Sequence, residues 1–173
     1  MVERPDEMVP VEVLGVRRQL PADEYVVLLL DSTSDLVVPI VIGPTEAAAI
    51  VAGQSGIALP RPSTHDLLRD VLLLSGRQLA CALVENLDGG TFMGALVLDD
   101  GTHVDARPSD AIALAVRTGS EVLCHADVLA VAGVDLVRSS SDATIEQFRD
   151  FLEHVEADDF DAGEGAAGGE ASP

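Results

Sequence analysis

The chain contains no lysine and no tryptophan, only one tyrosine and four phenylalanines, and two cysteines among 173 residues. Each scarcity narrows what it can be. Without lysine, all cationic charge rests on arginine: ten arginines against 30 acidic residues give a net charge of −20. That field repels nucleic acid and anionic membranes at long range, because affinity for phosphate polymers depends largely on cationic side chains displacing counterions. Aromatic residues make up 3% of the chain, leaving little surface on which bases can stack. The cysteines, Cys81 and Cys124, are far apart in apolar surroundings and show no zinc spacing, which predicts two buried thiols in a reducing compartment. The longest apolar runs, such as residues 26–30 and 128–134, are far short of a bilayer span, and the acidic start lacks an export signal. A cytoplasmic protein without membrane contact is expected.

What is present is apolar: 47% hydrophobic residues are enough for a buried core in one domain, without staples. Strands are predicted over residues 10–17, 25–31 and 36–42, forming an antiparallel meander in which Pro39 points to an edge or bulge. A helix follows from Pro44 to about Ala52, closed by Gly53, and a second runs from Thr64 to about Ser75 before Gly76. The pattern then returns. Strands at 79–86, 92–98 and 103–106 lead into a helix from Arg107-Pro108 to Gly119, then a strand at 121–124 and a short helix at 126–132. Gly43-Pro44-Thr45-Glu46-Ala47 and Arg107-Pro108-Ser109-Asp110-Ala111 share one residue order, 64 positions apart. This is either a weak internal duplication of a hairpin-helix unit or two independent uses of common helix-start chemistry. The predicted class is α+β. Ile145, Phe148, Leu152 and Val155 recur at helical spacing, which predicts an amphipathic helix over 142–156 within an extension from 138 to 157. An acidic, glycine-rich, disordered tail is expected over 158–173, after a principal domain at 1–137.

Two stretches can carry chemistry. In Arg61-Pro62-Ser63-Thr64-His65-Asp66-Leu67-Leu68-Arg69-Asp70, helical spacing puts Leu67, Leu68, Val71, Leu72 and Leu74 on one side. His65, Asp66, Arg69 and Asp70 share the other. An imidazole, two carboxylates and a guanidinium on one face supply a general base, metal-binding oxygens and a phosphate clamp. The competing reading is a capping box between Ser63 and Asp66 on a solvated helix face. In Arg107-Pro108-Ser109-Asp110, an arginine at a helix N-terminus offers an anion site, or else Ser109 caps the helix and Asp110 complements its dipole. Glu46 holds the corresponding place in the first half, as a third converging carboxylate or a dipole-matching acid. His103, His125 and His154 read as ordinary strand, loop and solvated residues.

The order and spacing of Pro39-Ile40-Val41-Ile42-Gly43, Glu46-Ala47, Arg61-Pro62 with Thr64-His65-Asp66, and Arg107-Pro108-Ser109-Asp110-Ala111 resemble the bifunctional nuclease family, over roughly residues 9–135. The resemblance implies an α+β domain and cleavage of DNA and RNA. Family positions map onto Arg61, Pro62, Thr64, His65, Asp66, Arg107, Pro108, Ser109 and Asp110. The chain departs from the family pattern at Ser63, where a large apolar residue is usual, and at Met93, where an aromatic is usual. The expected nuclease uses His65, Asp66 and Asp110 for catalysis and Arg61, Thr64, Arg69, Arg107 and Ser109 for substrate. Mg²⁺ or Mn²⁺ is expected on Asp66, Asp110 and Glu46. The alternative is a non-enzymatic ligand-binding or assembly module in which both Arg-Pro motifs are structural corners. A homodimer is expected on the general frequency of symmetric pairs, through a strand edge or the C-terminal helix.

Overall fold

A computed structural model describes residues 7–57 and 60–135. The chain divides between Val137 and Arg138, and the description concerns the first unit. The expected helix at 142–156 and the tail after it lie outside the described residues.

Alternating apolar residues build two three-stranded meanders: β1 (Met8–Gln19), β2 (Glu24–Asp31) and β3 (Leu36–Ile42), then β4 (Leu79–Asp88), β5 (Thr91–Leu98) and β6 (His103–Ala106). Each meander leads into a helix whose first residue is proline, α1 (Pro44–Gln54) and α3 (Pro108–Thr118), because a fixed φ and a missing N–H suit that position. The hairpin-helix scheme read from the sequence is therefore repeated in space. Between the meanders lies α2 (Thr64–Leu74), and after α3 come β7 (Glu121–His125), α4 (Ala126–Ala132) and β8 (Val134–Asp135).

All eight strands form one sheet in the order β6-β5-β4-β7-β1-β2-β3-β8. The pairing is antiparallel except between β4 and β7, so the late strand β7 joins the two meanders by filling the gap between β4 and β1. β8, absent from the sequence reading, is a two-residue pairing against Leu36 and Val37. Pro39 lies beyond that pairing on the outer edge of β3, where a missing N–H breaks no ladder.

The core lies between the sheet and α3, whose Ala111, Ile112, Ala113, Leu114 and Ala115 are fully buried. Small alanines let α3 seat closely on the strands, with Val27, Leu29, Val38, Val84 and Ile50 of α1 around them. Gly94 of β5 sits under the start of α3: a Cβ there would lie 2.7 Å from the Leu83 carbonyl oxygen and 3.1 Å from the Pro108 Cα. Two expectations change. Gly53 does not end α1, which continues to Gln54; a Cβ at Gly53 would meet Val116 of α3 at 2.6 Å, so its role is close helix packing. The charged side of α2 is not the solvated face of the capping-box reading. Leu67, Val71 and Leu74 are 56%, 51% and 88% exposed, and the polar side faces α3 instead. Both cysteines are free and buried, and burial, with Asp31 nearby, pushes the Cys124 thiol up to about 12. Among the described residues no helix is long and apolar enough to cross a membrane.

Candidate active site

Arg107 leaves β6 in an extended conformation (φ −65°, ψ 141°) and forms the N-cap of α3, with no side-chain cap. Ser109 is therefore not the cap; it is a buried residue one turn-position further in, and the Arg107 carbonyl accepts the first helical N–H bonds from Asp110 and Ala111. In the same first turn Asp110 points back to the guanidinium. Arg107 Nε donates to Asp110 Oδ2 at 2.7 Å, and Nη2 donates to Asp110 Oδ1 at 3.1 Å and to Glu46 Oε1 at 2.9 Å. Glu46 occupies the equivalent position of α1, so one arginine ties together the N-termini of both proline-started helices.

The third helix supplies the imidazole. His65 of α2 lies 3.2 Å from Asp110 Oδ1 through Nε2, and its side chain is only 14% exposed. Four side chains thus meet from three helices: Glu46, His65, Arg107 and Asp110. Asp110 is partly buried, which would raise its pKa, but bonds from Arg107 and His65 outweigh burial and hold it below the ordinary carboxylate value. The same carboxylates raise Arg107. Arg107 itself is 66% exposed, and its Nη1 makes no hydrogen bond among the described residues. Its side chain lines a cleft of about 370 Å³ together with Ser109, Phe92, Ile42 and Gly43.

Asp66 stands next to His65 but serves another purpose. Its Oδ2 accepts from the Ser63 N–H at 2.9 Å and the Ser63 hydroxyl at 2.6 Å, the capping box expected at this start. Its Oδ1 accepts from Arg117 Nε at 2.9 Å, and Arg117 is 5% exposed in α3. Ser63 bonding, with Arg117 behind it, lowers the Asp66 pKa to about 2. Ser63, a departure from the family pattern, is thus the cap of α2. Arg117 was not found from the sequence, since nothing local connects positions 66 and 117.

The expected substrate set divides. Arg107 and Ser109 line the cleft just described. Arg69 pairs with Asp70 at 2.8 Å and lines a separate 300 Å³ hollow with Asp66, Arg117 and Gly53. Arg61 and Thr64 are exposed, and Arg61 forms no ion pair among the described residues. For a divalent cation, the described residues bring together no group of three or more His, Cys, Asp or Glu side chains placed to hold one. Glu46 and Asp110 give oxygens to Arg107, and Asp66 gives both of its own to Ser63 and Arg117, so these three carboxylates do not form a ligand set as arranged.

A sequence model of the bifunctional nuclease domain matches residues 27–137. An uncharacterized protein of Mycobacterium tuberculosis is 41% identical over 161 residues, covering 88% of this chain and 98% of that protein. Bifunctional nuclease 1 of Oryza sativa subsp. indica is 24% identical over 146 residues, covering 79% of this chain. This chain spans 44% of the rice protein's length. A bifunctional nuclease of Oryza minuta matches with the same identity and coverage. With both Arg-Pro motifs in place and the domain matched over most of the described residues, the chain belongs to the bifunctional nuclease domain family.

Proposed function

We propose that this chain is a nuclease that hydrolyses phosphodiester bonds of DNA or RNA at the Glu46, His65, Arg107 and Asp110 cluster. The contact between His65 and Asp110 carries the reading. It brings the helices that follow the two distant Arg-Pro motifs into contact, whereas a structural corner would have left Arg107 buried on backbone carbonyls. Arg107 is exposed and bonded to side chains only.

Each group then has a role. The free Nη1 edge of Arg107 holds non-bridging phosphate oxygens and stabilises the charge that grows on them as water attacks phosphorus. Asp110 and Glu46 fix the guanidinium plane, and Asp110 also orients His65. With Nε2 turned to Asp110, Nδ1 of His65 takes the proton of the attacking water, and a proton returns to the leaving oxygen as the P–O bond breaks. The cluster carries a net charge of −1 when His65 is uncharged, and is neutral when it is protonated. Substrate binding is accordingly weak, with one arginine to displace counterions from the phosphates. Two free, buried thiols suit the cytoplasm, where reducing conditions keep cysteines unpaired.

The test is cleavage of labelled single- and double-stranded DNA and RNA at low salt, with Mg²⁺, Mn²⁺ or chelator, comparing the wild type with Arg107→Ala and His65→Gln. Cleavage lost in both folded variants is the expected result, and the chelator arm decides whether a cation takes part. Equal cleavage by variants and wild type, or none by the wild type, refutes the proposal. Asp66→Ala is a poor probe of chemistry here, because it removes a helix cap and an ion pair together.

A further inference from the structure

Ten arginines are the chain's whole cationic supply, and three of them, Arg69, Arg77 and Arg117, line one cleft of about 270 Å³. No carboxylate lines it. The hollow beside it shares Arg69 and Arg117 but has Asp66 and Asp70 in its wall. Arg69 lies on α2, Arg77 just beyond its end, and Arg117 on the last turn of α3. Arg117 is the buried one, at 5% exposure.

Each guanidinium is fixed by an acid outside the lining. Arg69 Nη2 pairs with Asp70 at 2.8 Å, Arg77 Nη1 with Asp100 at 2.7 Å, and Arg117 Nε with Asp66 at 2.9 Å. Donors are left over: Arg69 Nη1, Arg77 Nη2 and Arg117 Nη2 make no hydrogen bond among the described residues. The carbonyls that end α3 would repel an anion, but they are already engaged. The Thr118 hydroxyl lies within hydrogen-bond distance of the Leu114 and Ala115 carbonyls, and the Ser120 N–H donates to Ala115.

We infer that this cleft binds the phosphate group of a small phosphate ester. Near neutral pH such a group carries close to two negative charges on three acceptor oxygens, which suits donors converging from three planar guanidinium forks. Leu72, Leu73 and Leu79 line the same cleft and give the body of the ester an apolar wall. The volume is near the lower end of small-molecule sites, about 300 Å³. The −20 net charge acts unequally on the two sources of phosphate. A polymer lies across the acidic surface along its length, whereas a small ester meets the arginines at contact distance, and charges beyond about 8 Å are screened at physiological salt. The neighbouring aspartates weaken the site and set its selectivity for a dianion over a singly charged group.

The inference is independent of the nuclease reading, since it uses neither Arg107 nor His65. The full chain, isotope-labelled at arginine, is titrated with inorganic phosphate, phenyl phosphate and phenol to about 10 mM, enough to reveal a dissociation constant of about 1 mM. The arginine Nε–Hε signals are followed by NMR. Both phosphates should shift Arg69, Arg77 and Arg117 together with one constant, phenyl phosphate the more tightly, and phenol should shift none of them. Arg69→Gln and Arg77→Gln alter half-exposed side chains, so circular dichroism should match the wild type, and each should weaken phenyl phosphate about ten-fold or more. No shift of the three signals, or shifts at Arg107 alone, overturns the inference, as does undiminished binding in both variants. A single-stranded oligonucleotide without a terminal phosphate that moves the same three signals more tightly than phenyl phosphate overturns it too, and assigns the cleft to a strand.

Discussion

Removing the Asp66 carboxylate should destabilise the fold more than any other single change on the surface of α2. The side chain closes the capping box with Ser63 and pairs with Arg117, which is 5% exposed. Loss of a capping side chain costs about 1 kcal/mol. Leaving a buried charge without its partner costs about 3–5 kcal/mol. Asp66 is 24% exposed, and Arg117 keeps its 2.7 Å bond to the Ala113 carbonyl, so the lower end of that range applies. Asp66→Ala is expected to lose about 3–4 kcal/mol, a large share of a stability of about 5–15 kcal/mol. Asp66→Asn keeps the shape and loses the charge. A folded-state pKa of about 2 against 3.8 is equivalent to roughly 2 kcal/mol, and the Asn variant should lose about that much at pH 7. Because the folded pKa is the lower one, this contribution is complete above about pH 5 and fades as pH falls through 3.8 towards 2. Urea unfolding followed by circular dichroism at pH 7, 4 and 3 should show the gap between wild type and Asp66→Asn narrowing with acidification. A gap at pH 7 under about 0.5 kcal/mol, or one that stays constant with pH, would refute the assignment. An Asp66→Asn/Arg117→Met cycle with no coupling would do the same.

Gly94→Ala should cost about 1–3 kcal/mol by thermal melting, because the added Cβ meets the backbone of Leu83 and Pro108 and pushes α3 off its seat. Cys124, whose thiol is raised to about 12 mainly by burial, should resist thiol reagents in the native protein at pH 8 and react after denaturation. Arg107→Lys keeps the charge but not the planar fork that binds Asp110 and Glu46, so cleavage should fall nearly as far as in Arg107→Ala; full activity would show that only charge is needed there. Asp110→Asn should lower cleavage on the order of 100-fold while the melting temperature changes little, as measured on matched preparations.

Local chemistry was readable along the chain. Pro44 and Pro108 announce helix starts because their fixed φ acts within one residue, and the Ser63–Asp66 capping box closes within three. Strand alternation at 25–31 and 36–42 likewise reports a neighbour-scale preference, and both strands appear as read apart from one residue at the start of β2. The residues of the candidate site were also named: Glu46, His65, Arg107 and Asp110 are chemically distinctive and sit at helix starts. Their convergence was not readable. Arg107 reaches Glu46 across 61 positions and His65 reaches Asp110 across 45, distances that only the seating of three helices on one sheet can close.

The same division explains what was misread. Helical spacing correctly separated the leucine side of α2 from its charged side, but periodicity is blind to direction. Which side turns inward depends on what α3 presents, and α3 presents Asp110 and Arg117, ionic partners whose bonds to His65 and Asp66 fix the polar side. Gly53 looks like a helix stop in isolation; only the nearness of Val116 makes it a contact surface. β7 belongs to neither meander by sequence, yet its Cys124 and Val122 edges fill the one gap between β4 and β1. The sequence by itself determined which elements form and which residues carry chemistry, since those follow from forces acting over a few residues. The tertiary structure alone decided which charges meet, which apolar face stays open and where the sheet closes, because these are set by competition between surfaces far apart in the chain.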